Sequence, residues 1–295
     1  METQFSNDLV VTKSPKVSVL VPVYRTDPTF LREAIRSILT QTYADFELVI
    51  LDDCPDDPRE SVVREFDDAR IRYVRNTRNL GITPSRNRLI DMARGDYLAV
   101  FDHDDISHPT RLEKEVVYLD AHPECGVVSS WTRVIPSGEI IRHQENDRAI
   151  RLGLMGGCCI AHSAAMIRAS VLKETGIRYE ESFSPAEDYA IFLKLVPHVR
   201  FHNIPEPLLD YRWHGDNTSA TQAAKMTVAG DLAHRWAERN FPELYDEFVA
   251  RTPLVSRVRL FGIPGLLKIV STAQWTKVYV FSFLPLIIIQ RRHRR

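Results

Sequence analysis

The chain has 295 residues, with 38 Lys and Arg against 39 Asp and Glu, a balance of −1, and 44% of its residues are hydrophobic. That composition excludes a disordered, collagen-like or multi-span membrane chain and leaves one large α/β domain or two ordinary ones. The balance hides a division: residues 251–295 hold nine Lys or Arg and no acid, so a body of −10 carries a +9 tail that points to an anionic surface, membrane or nucleic acid.

Residues 1–15 form an N-terminal extension without the basic segment and apolar run that secretion requires. The cysteines are Cys54, Cys125, Cys158 and Cys159, with no CxxC pair. The expectation is a cytoplasmic protein with reduced thiols, Cys158 and Cys159 being small buried residues. From Lys16 to Phe101, short apolar runs alternate with stretches of helical period, the signature of βαβ units and a mainly parallel sheet. Strands are expected at Val17–Val23, Phe46–Leu51, Ile71–Arg75 and Tyr97–Phe101. Phe30, Leu31, Ala34, Ile35, Ile38 and Leu39 line one face of a helix starting at Pro28. A second helix is expected over 84–94, with Thr83 as N-cap, Pro84 first inside and Gly95 as its stop.

Further along, a helix is predicted from Pro109 to Ala121, a strand near Gly126–Ile135 and a turn at Ser137-Gly138. Helical period returns at Asp188–Leu195 behind the paired Glu187-Asp188, and 199–213 reads as two short strands divided by Pro205 and Pro207. Residues 221–250 read as a helical connector.

Ligands of an open parallel sheet bind beyond the carboxyl ends of its strands. Pro22-Val23-Tyr24-Arg25 follows the first strand, Asp52-Asp53 the second, and Asp102-His103-Asp104-Asp105 the fourth. Carboxylates gathered on one edge repel unless a cation or hydrogen-bonding ligand answers them, and hard divalent ions prefer oxygen ligands. A metal-bound anionic ligand is therefore expected. No GxGxxG follows the first strand and no GxxxxGKS/T occurs, so glycine-based phosphate cradles are excluded.

The segment VSVLVPVYRTDPTFLREAIRSILTQTYADFELVILDD, then NLGITPSRNRLIDMARGDYLAVFDHDDISHP, resembles the nucleotide-binding half of family 2 glycosyltransferases with the GT-A fold. The resemblance continues through HSAAMIRASVLKETG, SPAEDYAIFLKL and YRWHGDNTS, over about 16–220, which marks the extent of the expected domain. It implies inverting transfer of a sugar from a nucleotide diphosphate donor to an acceptor hydroxyl, with Mg²⁺ or Mn²⁺. It also implies that Pro22, Val23, Tyr24, Arg25 and Asp53 hold the base and ribose, although Arg25 stands where the family has Asn. Arg86 would lie near the diphosphate, with helix-end amides adding to anion binding. Asp102 and Asp104 match the DxD element, Asp104 as metal ligand and Asp102 on ribose or a metal-bound water. Asp188 matches the general base, since the acceptor hydroxyl must lose a proton as it attacks. His214 would face the diphosphate or complete the metal shell, imidazole suiting Mn²⁺ better than Mg²⁺. His162 and Trp213 are assigned to packing or acceptor-side shape.

The tail, 251–295, joins two apolar stretches, Leu260–Val270 and Val278–Ile289, to basic residues. Neither reaches the roughly 20 residues that a spanning helix needs. The expectation is an apolar-basic helix lying in the membrane interface, at the cytosolic face, near a glycan or lipid-linked acceptor. Nucleic acid is not expected, because the basic residues alternate with Leu, Ile and Phe. Two alternatives from other classes are a sugar-phosphate nucleotidyltransferase and a non-catalytic carbohydrate- or membrane-binding module. The first should show a Gly-rich basic loop after its first strand, and the second has no use for a DxD and a base.

Overall fold

The computed structural model describes residues 14–215 and 217–251, and beyond them 254–260, 263–271, 275–280 and 284–290. Strands β1 (Val17–Val23) and β2 (Phe46–Asp52) are buried at every position, as parallel strands covered on both faces must be. With β3 (Ile71–Arg75) and β4 (Tyr97–Val100) they pair in parallel in the order β3-β2-β1-β4. Alternate residues feed two cores. Val17, Val19, Val21 and Val23 meet Leu31, Ala34, Ile35 and Ile38 of α1 (Pro28–Leu39) and Val62 and Val63 of α2 (Glu60–Val63). Leu20, Val49, Leu51 and Leu98 meet Leu89 of α3 (Ile82–Met92) on the opposite face. Each such aliphatic side chain contributes about 1.5–3 kcal/mol when fully buried.

The chain continues through β5 (Ile106–Ser107), α4 (Arg111–Ala121), β6 (Cys125–Ile135), β7 (Ile140–Ile141), α5 (Asp147–Leu154), β8 (Met166–Arg168), α6 (Ala169–Thr175), α7 (Glu187–Leu195) and β9 (Arg200–Arg212). Antiparallel β8 joins β4, and the sheet extends as β4-β8-β6-β9-β5, with β7 folded back on β6. Under this half lies a fully buried ion pair, Arg111 Nε to Glu115 Oε1 at 3.0 Å, which fastens α4 to the end of β4 through Arg111 Nη2 and the Val100 carbonyl.

Three local expectations change. Helix α3 starts at Ile82 behind Gly81 and ends at Met92, because Asp53 takes the Leu80 and Gly81 N–H groups and turns the chain early. Thr83 is thus inside the helix and not its cap, and Pro84 still falls in the first turn, where a missing N–H costs nothing. Gly95 does not stop the helix; a Cβ there would lie 2.5 Å from the Ser18 backbone nitrogen, so only glycine allows this approach. Residues 200–212 form one strand and not two, since a register shift against Ser130-Trp131 absorbs the proline region.

After the short α8 (Thr218–Thr221), the expected connector is α9 (Ala223–Asn240) and α10 (Pro242–Arg251), and it packs on the domain, burying Ala229, Ala233 and Ala237. The helical part of the tail ends there. Where an interfacial helix is expected, β10 (Leu254–Leu260), β11 (Ile263–Ser271), β12 (Trp275–Val280) and β13 (Leu284–Gln290) form an antiparallel meander. Val, Ile, Thr, Tyr and Trp dominate these segments and prefer a pleated strand to a helix. No helix among the described residues is long and apolar enough to cross a membrane. Arg291, Arg292, Arg294 and Arg295 lie outside the described residues.

Candidate active site

Because β1, β2 and β4 are adjacent and parallel, Pro22–Arg25, Asp52-Asp53 and Asp102–Asp105 come out along one edge. Asp52 and Asp53 both hold local structure. Asp52 accepts from Cys54 N at 2.9 Å, Arg59 N at 2.6 Å and the Tyr73 hydroxyl at 2.9 Å. Asp53, 3% exposed, accepts from Asn76 Nδ2 at 2.6 Å and from Leu80 N and Gly81 N at 2.8 Å each. It holds the 76–81 loop and so sets the start of α3. Tyr24 and Arg25 face outward, with the guanidinium 5.3 Å from the Tyr24 ring. Arg25 adopts φ +48°, a left-handed backbone uncommon for a long side chain, in the turn that leaves β1.

The acids after β4 keep looser company. Asp104 Oδ2 lies 2.9 Å from His214 Nε2, although 110 residues separate them. The tip of β9 makes this meeting: Arg212 donates from Nε to the Asp104 carbonyl at 2.8 Å and from its backbone N to Asp105 Oδ1 at 2.9 Å. The His214 ring also tilts against Phe30 of α1 at 5.4 Å. Asp105 is wholly buried, and desolvation plus the Asp102 and Asp104 charges push its carboxyl well above the usual range.

Across the crevice, Arg86 of α3 joins the metal-type loop to α7. Its Nη1 lies 2.6 Å from Glu187 Oε1 and its Nη2 3.4 Å from Asp102 Oδ1. Burial lowers the Arg86 pKa, but Asp102 and Glu187 outweigh it and hold the charge firmly. The Tyr179 ring sits 5.7 Å from the guanidinium, and Tyr179 in turn bonds His162 Nε2 at 2.8 Å. His162 is buried and its pKa is driven down to about 3, chiefly by desolvation, so it is a neutral packing residue as expected. Asp188 opens α7 beside this network, in the first turn where the helix dipole favours a carboxylate. Burial raises its pKa to about 6, Arg86 opposing and Glu187 adding to the rise.

The structure therefore gathers Asp102, Asp104, Glu187 and Asp188 around Arg86 and His214. Glu187 is the residue whose job the sequence does not disclose; its partner is 101 positions away. Among the described residues no group of three His, Cys, Asp or Glu could hold a metal alone. Asp104 with His214 is still a suitable pair of donors for a divalent ion whose remaining positions are filled by ligand oxygens. Trp213 is 51% exposed and 6.4 Å from the Tyr211 ring. Cys158 is exposed where a buried residue is expected, while Cys54, Cys125 and Cys159 are buried, and all four thiols are free.

A mainly parallel sheet continued by antiparallel β8, with acids at the carboxyl ends of its strands, is the architecture of the GT-A fold. The profile described as glycosyl transferase family 2 matches residues 18–176, and the chain belongs to that family. It is 32% identical to the glycosyltransferase MJ1057 of Methanocaldococcus jannaschii over 207 residues, 67% of this chain and 71% of that protein. It is 31% identical to the O-antigen biosynthesis glycosyltransferase WbnJ of Escherichia coli over 224 residues, 72% and 85% of the two chains. Its fold is similar to that of the mannosyltransferase PcManGT of Pyrobaculum calidifontis, solved with GDP-Man and Mn²⁺ (TM-score 0.57, 20% identity, 81% of this chain and 74% of that one).

Proposed function

We propose that the protein is an inverting, metal-dependent glycosyltransferase that moves a sugar from a nucleoside diphosphate donor to a hydroxyl of a glycan or lipid-linked acceptor. The observation that carries this reading is the position of Asp188, a carboxylate with its pKa raised to about 6, next to the Arg86 bridge to Asp102. A base near neutral pH beside an arginine that can meet the leaving diphosphate is what displacement with inversion requires.

Asp188 removes the acceptor proton as the oxygen attacks the anomeric carbon. Arg86, held by Glu187, meets the charge that develops on the departing diphosphate. Asp104 and His214 would hold Mg²⁺ or Mn²⁺, which when bound adds positive charge beside that leaving group. Pro22, Val23, Tyr24 and Arg25 border the donor base and ribose with Asp102, and Asp53 serves them by shaping the adjoining loop. Work in surface polysaccharide or lipid-linked glycan assembly is supported by the similarity to WbnJ.

The tail serves as a peripheral anchor on anionic lipid at the cytosolic face. Its support is backbone register: Arg257 pairs directly with Lys268 across β10 and β11, and the segment 252–295 contains no acid to separate them. A register that sets two basic residues opposite each other is unfavourable by itself, and an anionic lipid surface would offset that repulsion.

A panel of nucleotide sugars with octyl glycosides of glucose, galactose and mannose as acceptors, with Mn²⁺ or EDTA, tests the reading. Release of nucleoside diphosphate only with metal is expected. Release of pyrophosphate would mean nucleotidyl transfer, turnover undiminished in EDTA would remove the metal role, and no product would leave a binding module.

A further inference from the structure

The turn at 155–160 joins α5 to the His162 segment and lies beside the catalytic helix. Met155, Cys159 and Ile160 share a core with Tyr189, Ala190 and Ile191. The Tyr189 hydroxyl donates to the Leu154 carbonyl at the end of α5, and the Tyr189 ring stands edge-on to His234 of α9 at 5.5 Å. Cys158 is exposed at the turn but its Sγ donates inward to the Ile160 carbonyl at 3.3 Å, and burial of the thiol, with the Asp188 charge, pushes it up.

From behind, α10 fixes the same turn. A Cβ built on Gly156 would lie 2.3 Å from Phe248 Cζ and 2.7 Å from Cε2, so the ring is seated directly on the Gly156 backbone. An Arg148–Glu247 ion pair ties α10 to α5 on the outside. The donor-side groups have separate supports: Asp104, His214 and Asp102 rest on one another, on Phe30 and on Arg86. The two walls, joined through the Arg86–Glu187 pair, thus flank Asp188.

We propose that the acceptor reaches Asp188 across the Gly156–Cys158 turn, and that Phe248 is the positioning residue that sets this turn from α10. This rests on Asp188 being the base. The ligand is the hydroxyl-bearing end of a glycan, and the wall that guides it is built partly by the C-terminal helices, outside the region that the family profile matches. A methyl added at Gly156 must move the turn or the ring, and an error of about 1 Å in placing a reactant costs up to about 100-fold in rate.

The test uses the full chain with octyl glycoside acceptors, and calorimetric binding of UDP or GDP with Mn²⁺ as the donor-side readout. Gly156→Ala is expected to lower kcat/KM for the acceptor at least about tenfold, with the nucleotide Kd within twofold. Adding Phe248→Leu, which frees room for the methyl, is expected to restore most of the loss. The proposal is overturned if nucleotide affinity falls in parallel, or if the double variant, folded by circular dichroism, is no better than Gly156→Ala. Transfer that survives in Asp188→Asn removes the base reading instead, whatever the Gly156 variants do.

Discussion

Asp52-Asp53 and Asp102-Asp104 leave strands that flank β1 on either side, and in sequence the two pairs look alike. Their partners differ in kind. The first pair accepts mainly backbone N–H groups and builds a loop, whereas the second meets charged or aromatic side chains brought from α3 and from beyond β9. On the proposed reading, acids at a sheet edge divide into builders, which hold backbone amides, and workers, held by partners that a ligand can replace or share. A builder should lose stability when changed, and a worker should lose activity.

The largest effect expected is at Asp188. Asp188→Asn should reduce kcat by about 10²–10⁴-fold. Its folded-state pKa lies above the unfolded value, so the ionised group costs stability that is recovered only as pH falls through about 6. The amide should therefore raise Tm by about 2–4 °C at pH 7.5, measured by scanning calorimetry. Asp104→Ala should cost about 100-fold in kcat/KM and abolish the response to Mn²⁺, with Tm unchanged. Asp53→Asn should do the reverse: an amide would set an N–H against the Gly81 or Leu80 N–H, costing about 1–3 kcal/mol in denaturant titration. A larger loss of activity than of stability there would break the comparison. The smallest effect is in the pH profile. The base works deprotonated, so kcat should fall as pH drops through about 6 and stay level above it. Glu187 raises the Asp188 pKa, so Glu187→Gln should move that fall to lower pH.

The parallel half of the fold was legible because β1 and β2 are covered on both faces, and burial of that kind writes itself as unbroken apolar runs. Chemical type also pointed to Asp102 and Asp104, and the family resemblance to Arg86 and Asp188. What sequence order conceals is long-range satisfaction. Asp53 looks like an open acid until Leu80 and Gly81 deliver their amides to it, and the same bonds shift the start of α3. Pro205 and Pro207 look like a break until the β6 register shows a strand accommodating them. The tail misled for another reason: apolar and basic residues at irregular spacing suit a helix or a strand, and β-branching decided it.

Strand β9 runs unbroken for 13 residues, from Arg200 to Arg212, and delivers His214 to Asp104 two residues past its end. Beyond the register shift at the prolines, Leu209–Arg212 pair one for one with Thr132–Ile135, so losing or gaining one residue there would exchange the sides taken by Asp210, Tyr211 and Arg212. In evolutionary terms this end of β9 is a segment of fixed length: substitutions can accumulate along it, but insertions and deletions cannot. The turn at 136–139, between β6 and the short β7, is free to vary in length. Within descendants of this gene, length changes should collect in that turn and spare 209–214.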